Sequence, residues 1–149
     1  MEVMKCRILL LSLAIALASV AASAADFGVH AGYFWGDLKN WTVGADAMWP
    51  VGPVAFSPNI EYTRKEGVNF YAASGDIDLR FPSGGATYWI GAGPTYGYVE
   101  FQGAHASEWG WDANAGVAWK AGGVKPYVVG RYYKIKEFRA SGASVGLRF

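Results

Sequence analysis

The chain has almost no cysteine and no long apolar segment beyond its first residues. Its single cysteine, Cys6, lies in a leading segment that we expect to be removed, so the rest of the chain has none. Disulfides, thiol catalysis and cysteine-based zinc sites are therefore excluded from it. After residue 26, no apolar run approaches the roughly 20 residues that a membrane-spanning helix needs.

A charge of one sign is also lacking. The 13 Lys and Arg against 12 Asp and Glu give a formal net charge of +1. Because phosphate binding needs a net basic surface, nucleic acid is not an expected partner. With only two histidines and no cysteine outside the leader, we expect no transition-metal site and no cofactor. Calcium held by loop carboxylates stays an open alternative.

The leading segment has the three parts of a secretory signal peptide. Lys5 and Arg7 precede an apolar run from Ile8 to Val20, and Ala22-Ser23-Ala24 forms a small-residue cleavage site. The run is too short to cross a bilayer as a helix. The pattern predicts a cleaved signal over residues 1–24 and one exported domain over residues 25–149.

The composition of that domain favours strands. The chain contains 20 Gly, 7 Trp, 9 Tyr and 8 Phe, and these residues weaken helices while aromatics favour strands. Alternating patterns predict eight strands, at 26–35, 41–49, 54–63, 68–81 (with an uncertain start), 86–101, 109–120, 125–135 and 140–149. The register of the seventh strand stays ambiguous, and Pro58 in the third predicts a bulge.

The connections between these strands are of two kinds that alternate. Short, uncharged turns rich in Gly and Pro are predicted at 50–53, 82–85 and 121–123, and longer polar loops at 37–40, 64–67, 102–108 and 136–139. Short turns at one end and longer loops at the other are typical of outer-membrane barrels.

Side chains alternate between the two faces of each strand. One face carries large aromatic residues near both strand ends and smaller residues between them, which predicts two interfacial belts. The belts comprise Trp35, Trp41, Trp49, Phe81, Trp109, Trp111, Trp119 and Phe149, and the same pattern assigns Tyr127 and Tyr133 to them.

The opposite face combines glycine with charged residues. An eight-stranded barrel has an interior just wide enough to be filled by side chains. We therefore expect a charge network that fills the lumen, formed by His30, Asp46, Glu61, Asp76, Asp78, Arg80, Asp112, Lys120, Arg131 and Arg148.

The last strand ends on an aromatic residue. Val145, Leu147 and Phe149 share one face, and this arrangement resembles the C-terminal signal strand of bacterial outer-membrane β-barrels. Residues 25–149 as a whole resemble small eight-stranded outer-membrane proteins of the OmpA/OmpX type. The resemblance implies an all-β, closed, antiparallel, up-and-down transmembrane barrel in the cell outer membrane. It also implies that outer-membrane lipid and, during insertion, the barrel-assembly machinery are partners.

The expected function is a structural or surface-interaction role without catalysis, with an external ligand that the sequence does not identify. One alternative is a narrow, porin-like channel, and another is a soluble periplasmic barrel that binds a small ligand. A third is a lipid A-modifying hydrolase that uses His105 and Ser107, because a His-x-Ser pair resembles that of outer-membrane lipid A deacylases. Glu108 follows where that resemblance leads us to expect Asn, and a three-residue pattern is a weak signal.

Overall fold

The computed structural model describes residues 25–149, and the predicted signal peptide lies outside the described residues. These residues form one closed barrel in which each strand pairs with its sequence neighbours and β8 pairs with β1. The strands are β1 (Asp26–Gly36), β2 (Asn40–Val51), β3 (Val54–Lys65), β4 (Val68–Ser83), β5 (Ala86–Phe101), β6 (Ala104–Trp119), β7 (Lys125–Ile135) and β8 (Phe138–Arg148). The predicted fold class, an antiparallel eight-stranded meander, is confirmed. No helix within residues 25–149 is long and apolar enough to cross a membrane.

The two termini of the described chain close the barrel. β1 and β8 are antiparallel from Gly28 opposite Arg148 to Gly36 opposite Ala140. Beyond this ladder, the amide of Phe149 donates to the carbonyl of Phe27 at 2.8 Å, and the amide of Phe27 donates back at 3.3 Å. The chain's last residue is therefore part of the seam, so the sheet has no open edge there.

Pro58 does not form the bulge that the sequence predicted. In the ladder between β2 and β3, Asp46 pairs with Asn59 on one side of the proline and Trp49 pairs with Phe56 on the other. Three positions separate the two pairs on each strand, so the register is the same before and after Pro58. Pro58 itself lies opposite Gly75 of β4. The ladder between β2 and β3 is interrupted at Pro58, where the missing N–H cannot donate, but no extra residue is inserted.

The predicted difference in loop length is wrong. Two-residue turns occur at both ends of the barrel: 66–67, 102–103 and 136–137 at one end, and 52–53 and 84–85 at the other. The longest connection, residues 120–124, lies at the end where the sequence predicted only short turns. In 66–67 and 102–103 both residues have positive φ and the second is glycine, as a type I′ hairpin requires. We call the end with turns 37–39, 66–67, 102–103 and 136–137 the mouth end, and the other the terminal end.

The predicted loop at 102–108 is also wrong, because β6 begins at Ala104. β5 and β6 pair without interruption from Ala86 opposite Trp119 to Phe101 opposite Ala104. β6 has 16 residues and β7 has 11, and β7 pairs with β6 only from Trp111 to Ala118, so the first residues of β6 project beyond β7 at the mouth end. A difference of 5 residues corresponds to about 16 Å of strand.

The structure resolves the register of β7. Tyr127 pairs with Gly146 and Arg131 with Gly142, which places the odd-numbered residues of β7 in the lumen. Tyr127, Val129 and Tyr133 are buried there. The interior consequently has apolar layers near both ends and a polar layer between them.

Candidate functional site: the barrel lumen and its mouth

His30 lies at the centre of the first of two polar clusters in the lumen. The His30 cluster comprises His30, Asp46, Glu61, Tyr127 and Arg148. The Tyr127 hydroxyl donates to Asp46 Oδ2 at 2.6 Å, so its oxygen accepts from His30 Nδ1 at 2.9 Å. His30 Nε2 donates to Glu61 Oε1 at 2.9 Å. With both ring nitrogens donating, the imidazole is in its charged form.

Arg148 completes this cluster at the end of β8. Its Nε donates to Asp46 Oδ1 at 3.0 Å, and its guanidinium stacks 4.4 Å from the centre of the Tyr127 ring. A second ring, Trp89, lies 4.7 Å from the same guanidinium. Two cations, His30 and Arg148, thus balance two carboxylates.

Arg131 lies at the centre of the second cluster. The Arg131 cluster comprises Asp76, Asp78, Asp112, Asn114 and Arg131. Arg131 Nη1 donates to Asp76 Oδ2 at 2.6 Å and also contacts Asp112 Oδ2. Asn114 Nδ2 bridges Asp76 at 2.9 Å and Asp78 at 3.1 Å.

These two clusters join strands from all around the barrel except β5, whose Thr95 donates to Asp112 Oδ1 at 2.8 Å. Most of their polar groups are paired across the lumen, which is how a narrow interior satisfies buried charge, but Glu61 Oε2 and Asp76 Oδ1 have no hydrogen-bond partner among the described residues. The two clusters therefore lie across the lumen at mid-height.

Two residues of the predicted network do not belong to either cluster. Lys120 follows the last residue of β6 and is exposed at the terminal end, so its assignment to the lumen is wrong. Alternation applies only within a paired strand, and Lys120 lies beyond it. Arg80 does face the lumen, but it makes no ion pair within the described chain and its Nε has no hydrogen-bond partner.

The sequence also assigned Tyr127 and Tyr133 to the outer belts, and both assignments are wrong. Tyr127 belongs to the His30 cluster, and the Tyr133 hydroxyl accepts from Asn59 Nδ2 at 3.1 Å. Both tyrosines lie an even number of positions from Arg131 in the same strand, so the charged residue could have identified the face on which they lie. Alternation in the first strand placed Phe34 on the same inner face as His30, but sequence reasoning missed the inward aromatic residues Phe70, Trp89 and Phe138.

The outer face is apolar between two rows of aromatic rings. The predicted belt residues Trp35, Trp41, Phe81, Trp109, Trp111, Trp119 and Phe149 are exposed, and Trp49 is partly exposed beside Phe27 and Phe56. Within residues 25–149, no outward-facing position between the belts carries Asp, Glu, Lys or Arg. Nine residues span from belt to belt on β6 (111–119), close to the about 9–11 residues of a transmembrane strand.

The predicted assembly residues share this outer face. Val145, Leu147 and Phe149 are all exposed on the outside of the barrel. Their recognition by assembly machinery stays a prediction.

A cavity of about 480 Å³ occupies the lumen between the polar clusters and the mouth-end turns. Phe34, Leu38, Tyr133 and Ala140 form an apolar cluster along it. Glu61 and Thr42 lie at its inner end, and Lys136 and Glu137 at its outer end. The volume is within the range of small-molecule sites, about 300–1,000 Å³.

An ion pair lies at the rim of this cavity. Lys136 Nζ is 2.5 Å from Glu108 Oε2 on the exposed upper part of β6. The hydrogen bond from Lys136 holds the pKa of the Glu108 carboxyl below its usual value. Both groups are solvent-exposed, so the pair contributes little to stability.

His105 and Ser107 lie on β6, in a strand that the sequence had taken for a loop. Both face outward, and the His105 ring stacks on Tyr98 with centroids 5.9 Å apart. No hydrogen bond joins His105 to Ser107 in the described structure. Such a bond is the contact through which the histidine of a His-x-Ser pair activates the serine hydroxyl. Nor does the described part of the chain contain a group of three His, Cys, Asp or Glu residues that could hold a metal ion.

Known protein families offer no sequence match: neither a family model nor a curated protein matches the chain. Solved structures do match. Neisserial surface protein A (NspA) is similar with a TM-score of 0.67 and 13% identity, over 83% of this chain and 94% of that one. The attachment invasion locus protein Ail of Yersinia pestis has a TM-score of 0.62 and 13% identity, over 84% and 97% of the two chains.

An enzyme is also among the similar structures. The outer membrane enzyme PagL matches with a TM-score of 0.53 and 14% identity, over 83% of this chain and 98% of that one. The expected resemblance to small eight-stranded outer-membrane barrels is thereby confirmed for the fold. Because barrels of this size include an enzyme, the fold does not decide between catalysis and binding.

Proposed function

We propose that this chain, which has the fold of small eight-stranded outer-membrane barrels, is itself an integral protein of a bacterial outer membrane. The observation that carries the proposal is the uncharged outer face between two aromatic belts. A soluble barrel would expose that face to water, whereas lipid covers it at no cost. Belts of Trp and Tyr at both ends suit the two membrane interfaces.

The protein acts without catalysis, as a structural or surface-interaction component. Its lumen is closed by the His30 and Arg131 clusters, which argues against the porin-like channel. The side chains of His105 and Ser107 are unlinked, which argues against the hydrolase. The mouth ends of β4 and β5 carry the exposed Tyr71 and Phe101. These ends, with the start of β6, offer a surface for an external partner.

The membrane assignment is tested by fractionating cells and running the protein on a denaturing gel with and without boiling. We expect it in the outer-membrane fraction with a mobility that changes on boiling, because a closed barrel resists detergent until heated. Deleting Phe149 removes two backbone hydrogen bonds at the seam and one outward aromatic residue, and should weaken assembly. Phe101→Ala, at an exposed aromatic residue of the mouth end, is the matched control and should assemble normally.

Recovery in the soluble periplasmic fraction without a heat-dependent shift would contradict the membrane assignment and favour the soluble carrier. The closed lumen has its own test in planar bilayers, where we expect no steady single-channel steps. Large, reproducible steps would favour the channel. Altered lipid A mass spectra in His105→Ala cells would favour the hydrolase.

A further inference from the structure

The cavity at the mouth end exists because opposite walls of the lumen differ in side-chain size. Phe34 of β1 and Phe138 of β8 line one wall. Across from them, β4 and β5 present Ala72 and Gly97, which pair with each other. Ala72 packs against the apolar cluster and the Ile135 side chain lies against Gly97, and the cavity is lined by these residues together. An apolar cavity of about 480 Å³ is thus built into the barrel.

Unpartnered polar atoms lie at the inner end of this cavity. Glu61 Oε2 and Thr42 Oγ1 are buried and have no hydrogen-bond partner among the described residues. Glu61 is 5% exposed and Thr42 3% exposed, and both side chains line the cavity. Since buried polar atoms are nearly always paired, these two oxygens can accept hydrogen bonds from the donor group of a ligand that enters the cavity.

The charges around the cavity indicate which kind of donor fits. Its lining contains the carboxylates of Glu61, Glu108 and Glu137 and the single ammonium of Lys136. Glu108 is already paired with Lys136 at the rim, and His30 contacts only the other oxygen of Glu61. Even with His30 counted as the cation paired with Glu61, the three carboxylates outnumber the two cations by one, so the lining favours a cation over an anionic group. The free oxygen of the Glu61 carboxylate can only accept a hydrogen bond, so the group that meets it must be a donor.

We propose that the cavity binds an apolar molecule with a primary ammonium head group. The ammonium donates to Glu61 Oε2 and Thr42 Oγ1, and the hydrocarbon body lies between the aromatic wall and the small residues of β4 and β5. An ammonium has three donors and no acceptor, so it leaves no polar atom of its own facing the apolar walls. The proposal rests on the fold alone and holds whether or not the barrel spans a membrane.

The probe is hexylamine, titrated calorimetrically into the barrel folded in detergent micelles, with hexanol and hexanoate as comparison ligands. We expect hexylamine to bind at least about tenfold more tightly than hexanol, because a hydrogen bond to a charged group is the stronger kind. Hexanoate should not bind. Glu61→Gln should weaken hexylamine binding at least about tenfold, whereas Glu100→Gln, the same change on β5 outside the cavity, should leave it unchanged.

A second variant separates binding from folding. Ala72→Phe fills the cavity without altering either polar cluster, and should abolish hexylamine binding while the heat-dependent gel shift persists. Saturable binding that survives Ala72→Phe, or an affinity that Glu61→Gln leaves unchanged, would overturn the proposal. So would hexanol binding as tightly as hexylamine, or no saturable binding of hexylamine to a wild-type barrel that shows the gel shift. The last result would leave the membrane assignment untouched.

Discussion

Removing the arginine of the second polar cluster tests whether the lumen is held by paired charges. Among residues 25–149, Arg131 is the one cation that contacts both Asp76 and Asp112, and its side chain is 8% exposed while theirs are fully buried. Arg131→Ala leaves both carboxylates in place without their cation. We predict that this single change strongly lowers the free energy of unfolding.

The size of the expected loss in the free energy of unfolding depends on the hydrogen bonds that the two carboxylates retain. Breaking a buried ion pair by removing one partner costs about 3–5 kcal/mol. Asp76 keeps its bond from Asn114, and Asp112 keeps its bond from Thr95. Because these remaining donors partly compensate, we expect a loss near the lower limit, about 3 kcal/mol.

The assay is urea unfolding of the barrel in lipid vesicles, followed by tryptophan fluorescence and analysed by linear extrapolation. Adding Asp112→Asn to Arg131→Ala removes one of the stranded charges and should recover at least about 1 kcal/mol. Arg139→Ala, at an exposed arginine of β8, is the matched control and should change stability by no more than about 0.5 kcal/mol.

A loss below about 1 kcal/mol for Arg131→Ala, or one equal to that of Arg139→Ala, would refute the reasoning. The carboxylates would then be protonated or hydrated without their cation, and the cluster would not hold the lumen. Failure of Asp112→Asn to recover stability would also show that stranded charge is not the cause.

Two further predictions concern the outer face and a crowded glycine. Ile90→Arg places a charge in the middle of the outer apolar band and should lower the free energy of unfolding in vesicles by about 2–4 kcal/mol. Ser107→Arg places the same charge beyond the upper belt and should lower it by only about 0–1 kcal/mol. Equal losses for the two variants would contradict a membrane-spanning band. Gly44→Ala would put a methyl group 2.4 Å from a histidine nitrogen and 2.6 Å from a backbone oxygen, so we expect a loss of about 1–3 kcal/mol by the same measurement. Gly130→Ala meets nothing nearer than 3.8 Å and should be tolerated; a similar loss for both would show that crowding is not the cause.

The strands within the belts could be predicted from the sequence, but their extensions at the mouth end could not. Val29, Ile90 and Val145 each sit in a clear alternation because one of their strand's faces is uniformly apolar. Above the upper belt that requirement ends, so residues 104–108 alternate only weakly and resemble a loop. The strand there is held by pairing with β5, which hydropathy does not report.

The polar site could be predicted in part. Alternation placed Asp46, Asp76, Asp112 and Arg148 on the inner face, where the structure has them. It did not show which residues contact each other, because the contacts join distant strands. His30 and Tyr127, for example, are 97 positions apart.

The amino-acid sequence by itself determined the number of strands, their direction and, outside β7, the face that most strand residues occupy, because these depend on local periodicity and on the turns between neighbours. Only the tertiary structure decided how the inner faces fit together. Closing the sheet brings side chains from opposite walls to within hydrogen-bonding distance, and their relative sizes then decide where the lumen is filled and where a cavity remains. Glu61 shows both effects: its face follows from alternation, while its position between His30 and an apolar cavity follows from barrel closure.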